Sequence, residues 1–414
     1  MARFYTVRNR SEQVISLRIK RSFLLVAAGS LTTAVLGGVF AGWYAQKEEE
    51  ERLHFVRQET ELIVTTARKA ELALFKAGTD ITKAAQVMEF NAARSWLTPG
   101  NYFLRSATSE GTHFYPIPIL GYRRGPDEDG NFILSIRIIP TKTPPLLHST
   151  LPQYAYIPGG NFLNGDRLNP REPHYFWLTG YFINPFETTN MEFREFLDDS
   201  AGYSYSENWS HAGRDWKSTN PSHATALLRP HDRDFARFGR DDLPVLWVNW
   251  FEANAYCRWL THKIGAGRWQ FSLPTDAEWE KASRGPDNFD YALGMTVSDA
   301  EVKLYNWKKN PDAPVPVIDI GDSQRLYESN RYGLYHMTGN ACEWSQSVGK
   351  PYNREHPYDD DERNLDDTPG QRSVRGGSWY SASIAYLYIP YRDSFQPEHC
   401  NQELGFRIVA RMLP

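Results

Sequence analysis

The chain has 414 residues, of which 41% are hydrophobic and 23% charged, with a formal net charge of -4. That is enough for two or three domains with full cores, and it lacks the basic surplus of a nucleic-acid-binding protein. Aromatics reach 14%, with 13 Trp, which points to packing built on large rings. Cys257, Cys342 and Cys400 allow at most one internal disulfide and leave one thiol over; sequence does not decide the pairing.

Residues 1–21 form a short basic segment, with Arg3, Arg8, Arg10, Arg18, Lys20 and Arg21 against Glu12. Residues 22–45 carry no charge and are long enough to cross a bilayer as a helix. Trp43 and Tyr44 stand at the far end, where interfacial aromatics are expected. The basic flank places the N-terminus in the cytoplasm. The expectation is a single-pass protein of a bacterial inner membrane, the bulk of its chain periplasmic. The rival reading, a cleaved signal peptide, has a shorter apolar run. Gly38 and Gly42 make a small-xxx-small pair through which two spans could approach.

Residues 46–94 combine many charges with spaced apolar positions (Leu53, Val56, Leu62, Ile63, Leu72, Leu74), which predicts a helical stalk. Residues 95–140 change character. A Pro99–Gly100 turn feeds Tyr102 to Leu104, and Phe132 to Ile139 is rich in β-formers, so a small β module is expected. Pro144, Pro145 and Pro152 mark 141–153 as a stiff linker.

In the remainder, 154–414, short phrases carry the reading. Leu273-Pro-Thr-Asp-Ala-Glu-Trp279 holds a capping box, Thr275 with Glu278, and places Trp279 and Ala282 on one helical face. Gly339-Asn-Ala-Cys-Glu-Trp344 follows, then Arg375-Gly-Gly-Ser-Trp379 and Gly405-Phe-Arg407. Arg375, Arg392 and Arg407 keep their charge anywhere, so acidic partners or carbonyls are expected beside them. His211, His223 and His231 match no common metal spacing and read as loop histidines.

Taken in order, these phrases resemble the formylglycine-generating-enzyme (sulfatase-modifying factor) family. The resemblance implies an α+β domain of C-type-lectin-like fold with much irregular chain. Active members hold copper(I) on two cysteines shortly after Gly-Gly-Ser, soft ligands suited to that ion. Here Ser381 and Tyr386 occupy those positions. The resemblance therefore implies a catalytically degenerate domain without copper, acting in binding or scaffolding within an envelope complex. The alternative is a metal-dependent oxidase or maturation enzyme of the same superfamily. An enzyme predicts an open cleft with titratable groups near Ser381, and a scaffold predicts that cleft filled or shallow. By the same resemblance calcium would take oxygens from Gly339, Ala341 and Glu343, and at a second place from Asn306 and Trp307, with Asp322 completing it. His336 stands where relatives carry an Asn or Asp ligand. Tyr386, Tyr388 and Arg392 are the candidate recognition surface, and Trp379 reads as core.

Overall fold

The computed structural model describes residues 46, 60–62, 71–81, 95–108, 111–119, 154–166, 174–221, 223, 238–297, 307, 329–350 and 364–413. The chain divides into two compact units, Met1–His54 and Phe55–Pro414. Only Gln46, which is helical, is described in the first. The apolar run 22–45 and the Gly38–Gly42 pair lie outside the described residues. Among the described residues no helix is long and apolar enough to cross a membrane.

The stalk expectation is corrected at its C-terminal half. β1 (Thr60–Leu62) and β2 (Glu71–Lys76) are strands. β1 pairs with β3 (Ser95–Leu97), and β2 joins β4 (Gly100–Thr108) and β5 (Gly111–Ile119) in an antiparallel sheet ordered β2-β4-β5. The cause of the misreading is burial on both faces. Leu74 packs with Tyr102, Leu104, Tyr115 and Ile117, while Ala73 and Phe75 pack with Phe103 on the other side. A strand covered on both faces loses the alternation that identifies a strand. The second half of the expected module, 120–140, and the linker 141–153 lie outside the described residues.

This module is fastened to the larger domain by polar and ring contacts. Gly78 N donates to Asp287 Oδ1 at 2.9 Å, and Asn101 Nδ2 donates to Asn288 O at 3.2 Å. Arg331 is the clamp. Its Nε donates to Asp287 Oδ2 at 2.8 Å, its Nη2 to Thr79 O at 3.1 Å, and its guanidinium lies 4.3 Å from the Phe103 ring centre. Charge-assisted hydrogen bonds and a partly desolvated cation–π contact together make Arg331→Ala cost about 2–3 kcal/mol of docking. Hydrogen exchange should show it as faster exchange in β4 and β5 with the large-domain core unchanged. Equal loss of protection everywhere would mean that the module and domain unfold as one.

The large domain continues with β6 (Ala155–Ile157), the hairpin β7 (Gly160–Asn164) and β8 (His174–Leu178), and β9 (Tyr181–Ile183). Helices α1 (Asn190–Asp198), α2 (His211–Thr219) and α3 (Trp250–Ile264) follow, then β10 (Trp269–Ser272) and α4 (Asp276–Arg284). The C-terminal part supplies β11 (Cys342–Val348), β12 (Arg372–Arg375), β13 (Asp393–Phe395), β14 (Leu404–Gly405) and β15 (Val409–Met412). They form two four-stranded sheets, β10-β15-β9-β6 and β13-β12-β11-β14. The second is mixed, because β14 runs parallel to β11 while β12 is antiparallel to both β11 and β13.

Local sequence explains the helix starts. Thr189 with Glu192, Asn249 with Glu252, and Thr275 with Glu278 each close a capping box, satisfying amides that have no partner inside the helix. Between helices and sheets lies an aromatic core in which Phe193, Phe196, Trp209, Trp250, Tyr256, Trp259, Trp344 and Phe406 are all buried. Trp279 and Ala282 share a second cluster, as their spacing predicts.

Candidate functional site

The site is built where β12 ends. Gly376 has φ +90° and Gly377 φ +64°, a left-handed pair that turns the chain sharply out of the sheet. A Cβ on Gly377 would stand 2.7 Å from the carbonyl oxygen of Tyr386, so only glycine lets the two segments approach. The turn is held from one side by Gly339 N donating to Gly376 O at 2.8 Å and Trp379 N donating to Asn340 O at 2.8 Å. From the other, Ser378 N donates to Ser381 Oγ at 2.8 Å, and Trp307 Nε1 donates to Ser381 O at 2.7 Å. Trp307 thus fixes the Ser381 backbone through its indole.

Between this turn, the ends of β11 and β14 and the start of β13 lies a cavity of about 290 Å³. Ser381 and Tyr386 both line it, together with Cys342, Tyr391, Asp393 and Glu403. The cleft is therefore open, with titratable groups in its wall, and is not filled by side chains. Tyr386 and Tyr391 meet edge to face with ring centres 5.0 Å apart. The Ser378 hydroxyl donates to the Glu403 carboxylate, and Ser394 N donates to Asp393 Oδ1 at 2.8 Å.

The donor set does not fit copper(I). Cys342 is the one thiol in the wall, and burial together with the charges of Glu403 and Asp393 pushes it well above its ordinary value, so it stays protonated. Cys257 and Cys400 do not line the cavity, all three cysteines are free, and burial raises the thiols of both others as well. A protonated thiol, a hydroxyl and a phenol do not make a Cu(I) site, which requires thiolates.

The expected calcium phrase has another occupation. Both oxygens of Glu343 accept from Arg407, Oε2 from Nε and Oε1 from Nη2, each at 2.7 Å, and Trp279 Nε1 adds a bond to Oε2 at 2.8 Å. The carboxylate is fully buried and serves Arg407 as its counter-ion. His336 is likewise engaged: its Nδ1 lies 3.0 Å from Glu187 Oε2, and Asn340 Nδ2 donates to Glu187 Oε1 at 2.8 Å. Gly339 and Ala341 are buried in the same turn, in which Gly339, His336 and Asn340 all have positive φ. Glu343 is thus engaged as the buried ion-pair partner of Arg407. Asn306 and Asp322 lie outside the described residues. Among the described residues no group of three His, Cys, Asp or Glu side chains could hold a metal ion.

The expected recognition surface is divided. Tyr386 faces the cavity, but Tyr388 donates through its hydroxyl to Asp166 Oδ1 at 2.7 Å, and Arg392 Nη1 lies 4.0 Å from the buried Asp276. Trp379 is core, packed against Phe238. Asp393, Glu403 and Cys342 were not identified from sequence as parts of the site. They come from three separate strands or their edges, and no local motif ties them together.

With this geometry in view, the comparisons fit. The sulfatase-modifying factor enzyme 1-like domain matches residues 141–412, and the chain belongs to that family. It is similar to the inactive C-alpha-formylglycine-generating enzyme 2 of Mus musculus, with 26% identity over 292 residues covering 64% of this chain and 87% of that protein. It is similar at 26% identity to the formylglycine-generating enzyme of Mus musculus, covering 57% of this chain and 68% of that one. It is also 26% identical over 271 residues to the serine/threonine-protein kinase pkn1 of Chlamydia caviae, covering 62% of this chain but 37% of that protein's length.

Proposed function

We propose that this chain is a membrane-anchored extracytoplasmic binding protein, in which a sulfatase-modifying-factor-type domain has lost copper chemistry and kept the cleft as a recognition site. The observation that carries the reading is the composition of the cleft: Ser381 and Tyr386 line it, and its only thiol is held protonated. The uncharged run 22–45 supplies the anchor and the basic 1–21 the orientation. Partner subunits in an envelope complex, and pairing of spans through Gly38 and Gly42, belong to the same reading and are tested by co-purification from gently solubilised membranes.

A second reading, an oxidase or maturation enzyme of the same superfamily, is favoured by one observation, the open cleft itself. The donor set weighs against it. The two are separated by loading the purified full-length protein with Cu(I) under a competing chelator. Wild type is expected to retain no stoichiometric copper, and the Ser381→Cys, Tyr386→Cys double variant to gain a high-affinity site. Stoichiometric copper on the wild type would overturn the binding reading.

A further inference from the structure

Across the large domain, buried and half-buried carboxylates are repeatedly matched with arginines: Glu278 with Arg411, Glu280 with Arg284 and Arg375, Glu343 with Arg407, and Asp366 with Arg258. That is the arrangement expected where a lone charge is costly to bury. The cavity breaks the pattern. Asp393 and Glu403 are half-buried in its wall, yet among the described residues neither has a Lys, Arg or His at ion-pair distance. The cation in the same wall, Arg375, is committed elsewhere: its Nη2 donates to Glu280 Oε2 at 2.8 Å and its Nη1 to Tyr391 O at 3.0 Å. The cavity therefore offers uncompensated negative charge. Beside that charge stand ring faces, Tyr386 and Tyr391 at a 74° corner and Tyr380 at the mouth, 41% exposed.

Aromatic faces next to carboxylates select one ligand chemistry. A guanidinium or ammonium group is attracted by both the ring quadrupole and the acids, whereas an anion or neutral apolar group gains from only one or neither. Among the described residues no group of three His, Cys, Asp or Glu side chains is placed to hold a metal ion, whereas ring faces beside carboxylates suit an organic cation. The volume, about 290 Å³, sits at the lower end for ligand sites and suits a single side chain or a small amine.

We infer that the cavity binds an organic cation, a guanidinium or primary ammonium group, held between Asp393 and Glu403 and stacked against Tyr386. The inference rests on the binding role proposed above and names its ligand class. Binding displaces water only, so no bond is made or broken.

The test titrates detergent-solubilised full-length protein with three probes: a blocked Gly-Arg-Gly peptide, the same peptide with citrulline in place of arginine, and agmatine. Citrulline keeps the planar shape but removes the charge and replaces one NH2 donor with an accepting carbonyl oxygen. The arginine peptide is expected to bind at least about tenfold more tightly than the citrulline peptide. That preference should vanish in the Asp393→Asn, Glu403→Gln double variant and weaken in Tyr386→Leu, with thermal midpoints near wild type confirming intact folds. Agmatine equal to the arginine peptide would assign a free amine as the natural ligand; a clear advantage for the peptide would assign a basic side chain of a partner protein. Equal affinity for the arginine and citrulline peptides would overturn the cation inference and leave a binding cleft of other chemistry. No binding of any probe at millimolar concentration would overturn the binding reading itself.

Discussion

Arg407→Met is expected to lower the unfolding free energy by about 3–5 kcal/mol, the range for removing one partner of a buried ion pair. Arg407, Glu343 and Glu187 are all at 1% exposure or less. Arg407 spends its donors fully, two on Glu343 and three on the carbonyls of Asn184, Pro185 and Tyr335. Methionine fills much of the space but satisfies none of these acceptors, and two carboxylates would then share an uncompensated site. Burial raises the Glu187 carboxyl, but the neighbouring His336 and Arg407 outweigh it and hold the group below its usual range. A depressed folded value means the stability it contributes is full above the ordinary carboxyl range and lost as pH falls through the folded value. Without Arg407, Glu343, which burial already raises, and Glu187 both titrate higher, so the variant's deficit should be largest at neutral pH and shrink as pH falls and these carboxyls protonate. Urea titrations between neutral pH and pH 4 would read both effects. Adding Glu343→Gln should recover part of the loss, because the remaining group no longer carries a buried charge. A single variant as stable as wild type would show that water reaches this network.

The same network shows what could be read in advance. The phrases around Thr275, Gly339, Gly376 and Gly405 were legible because they are local: capping boxes, positive-φ turns and short apolar strands leave marks within a few residues. The requirement that Arg375 and Arg407 meet acids or carbonyls was also legible, since guanidinium cannot discharge. Which acids they meet was not. Arg407, two residues beyond β14, finds Glu343 on β11, the strand that β14 pairs with, and Arg375 reaches Glu280 on α4. The cavity was half legible. Ser381 and Tyr386 follow from the glycine pair, but Asp393 and Glu403 enter through the register of β13 on β12 and of β14 on β11, long-range pairings without a local mark. Strand β2 was misread for a related reason. Its identity depends on β4 and β5 covering both its faces, and in isolation its residues fit a helix equally well.

The glycine pair can be tested by a comparison that separates strain from contact. Gly377→Ala is expected to cost about 2–4 kcal/mol, the sum of a left-handed backbone at φ +64° and a collision with Tyr386. The new Cβ would stand 2.7 Å from Tyr386 O and 2.9 Å from its carbonyl carbon, both backbone atoms that no rotamer change can move. Gly267 is the control. Its φ of +67° is almost the same, but a Cβ there meets nothing within 4 Å. Gly267→Ala should therefore cost about 1–2 kcal/mol, strain alone. The difference between the two variants isolates the contact that brings the Gly377 turn against the segment of Tyr386. Relief of that contact requires the Tyr386 backbone to retreat, which would widen the cavity and carry the Tyr386 ring away from Asp393 and Glu403. Gly377→Ala should thus lose arginine-peptide affinity even at temperatures where it is fully folded, while Gly267→Ala keeps it. Thermal unfolding and peptide titration on the same samples measure both quantities. If the two variants lost equal stability, the close approach of the two segments would not be maintained in solution, and the cavity would owe its shape to something other than the missing side chain at Gly377.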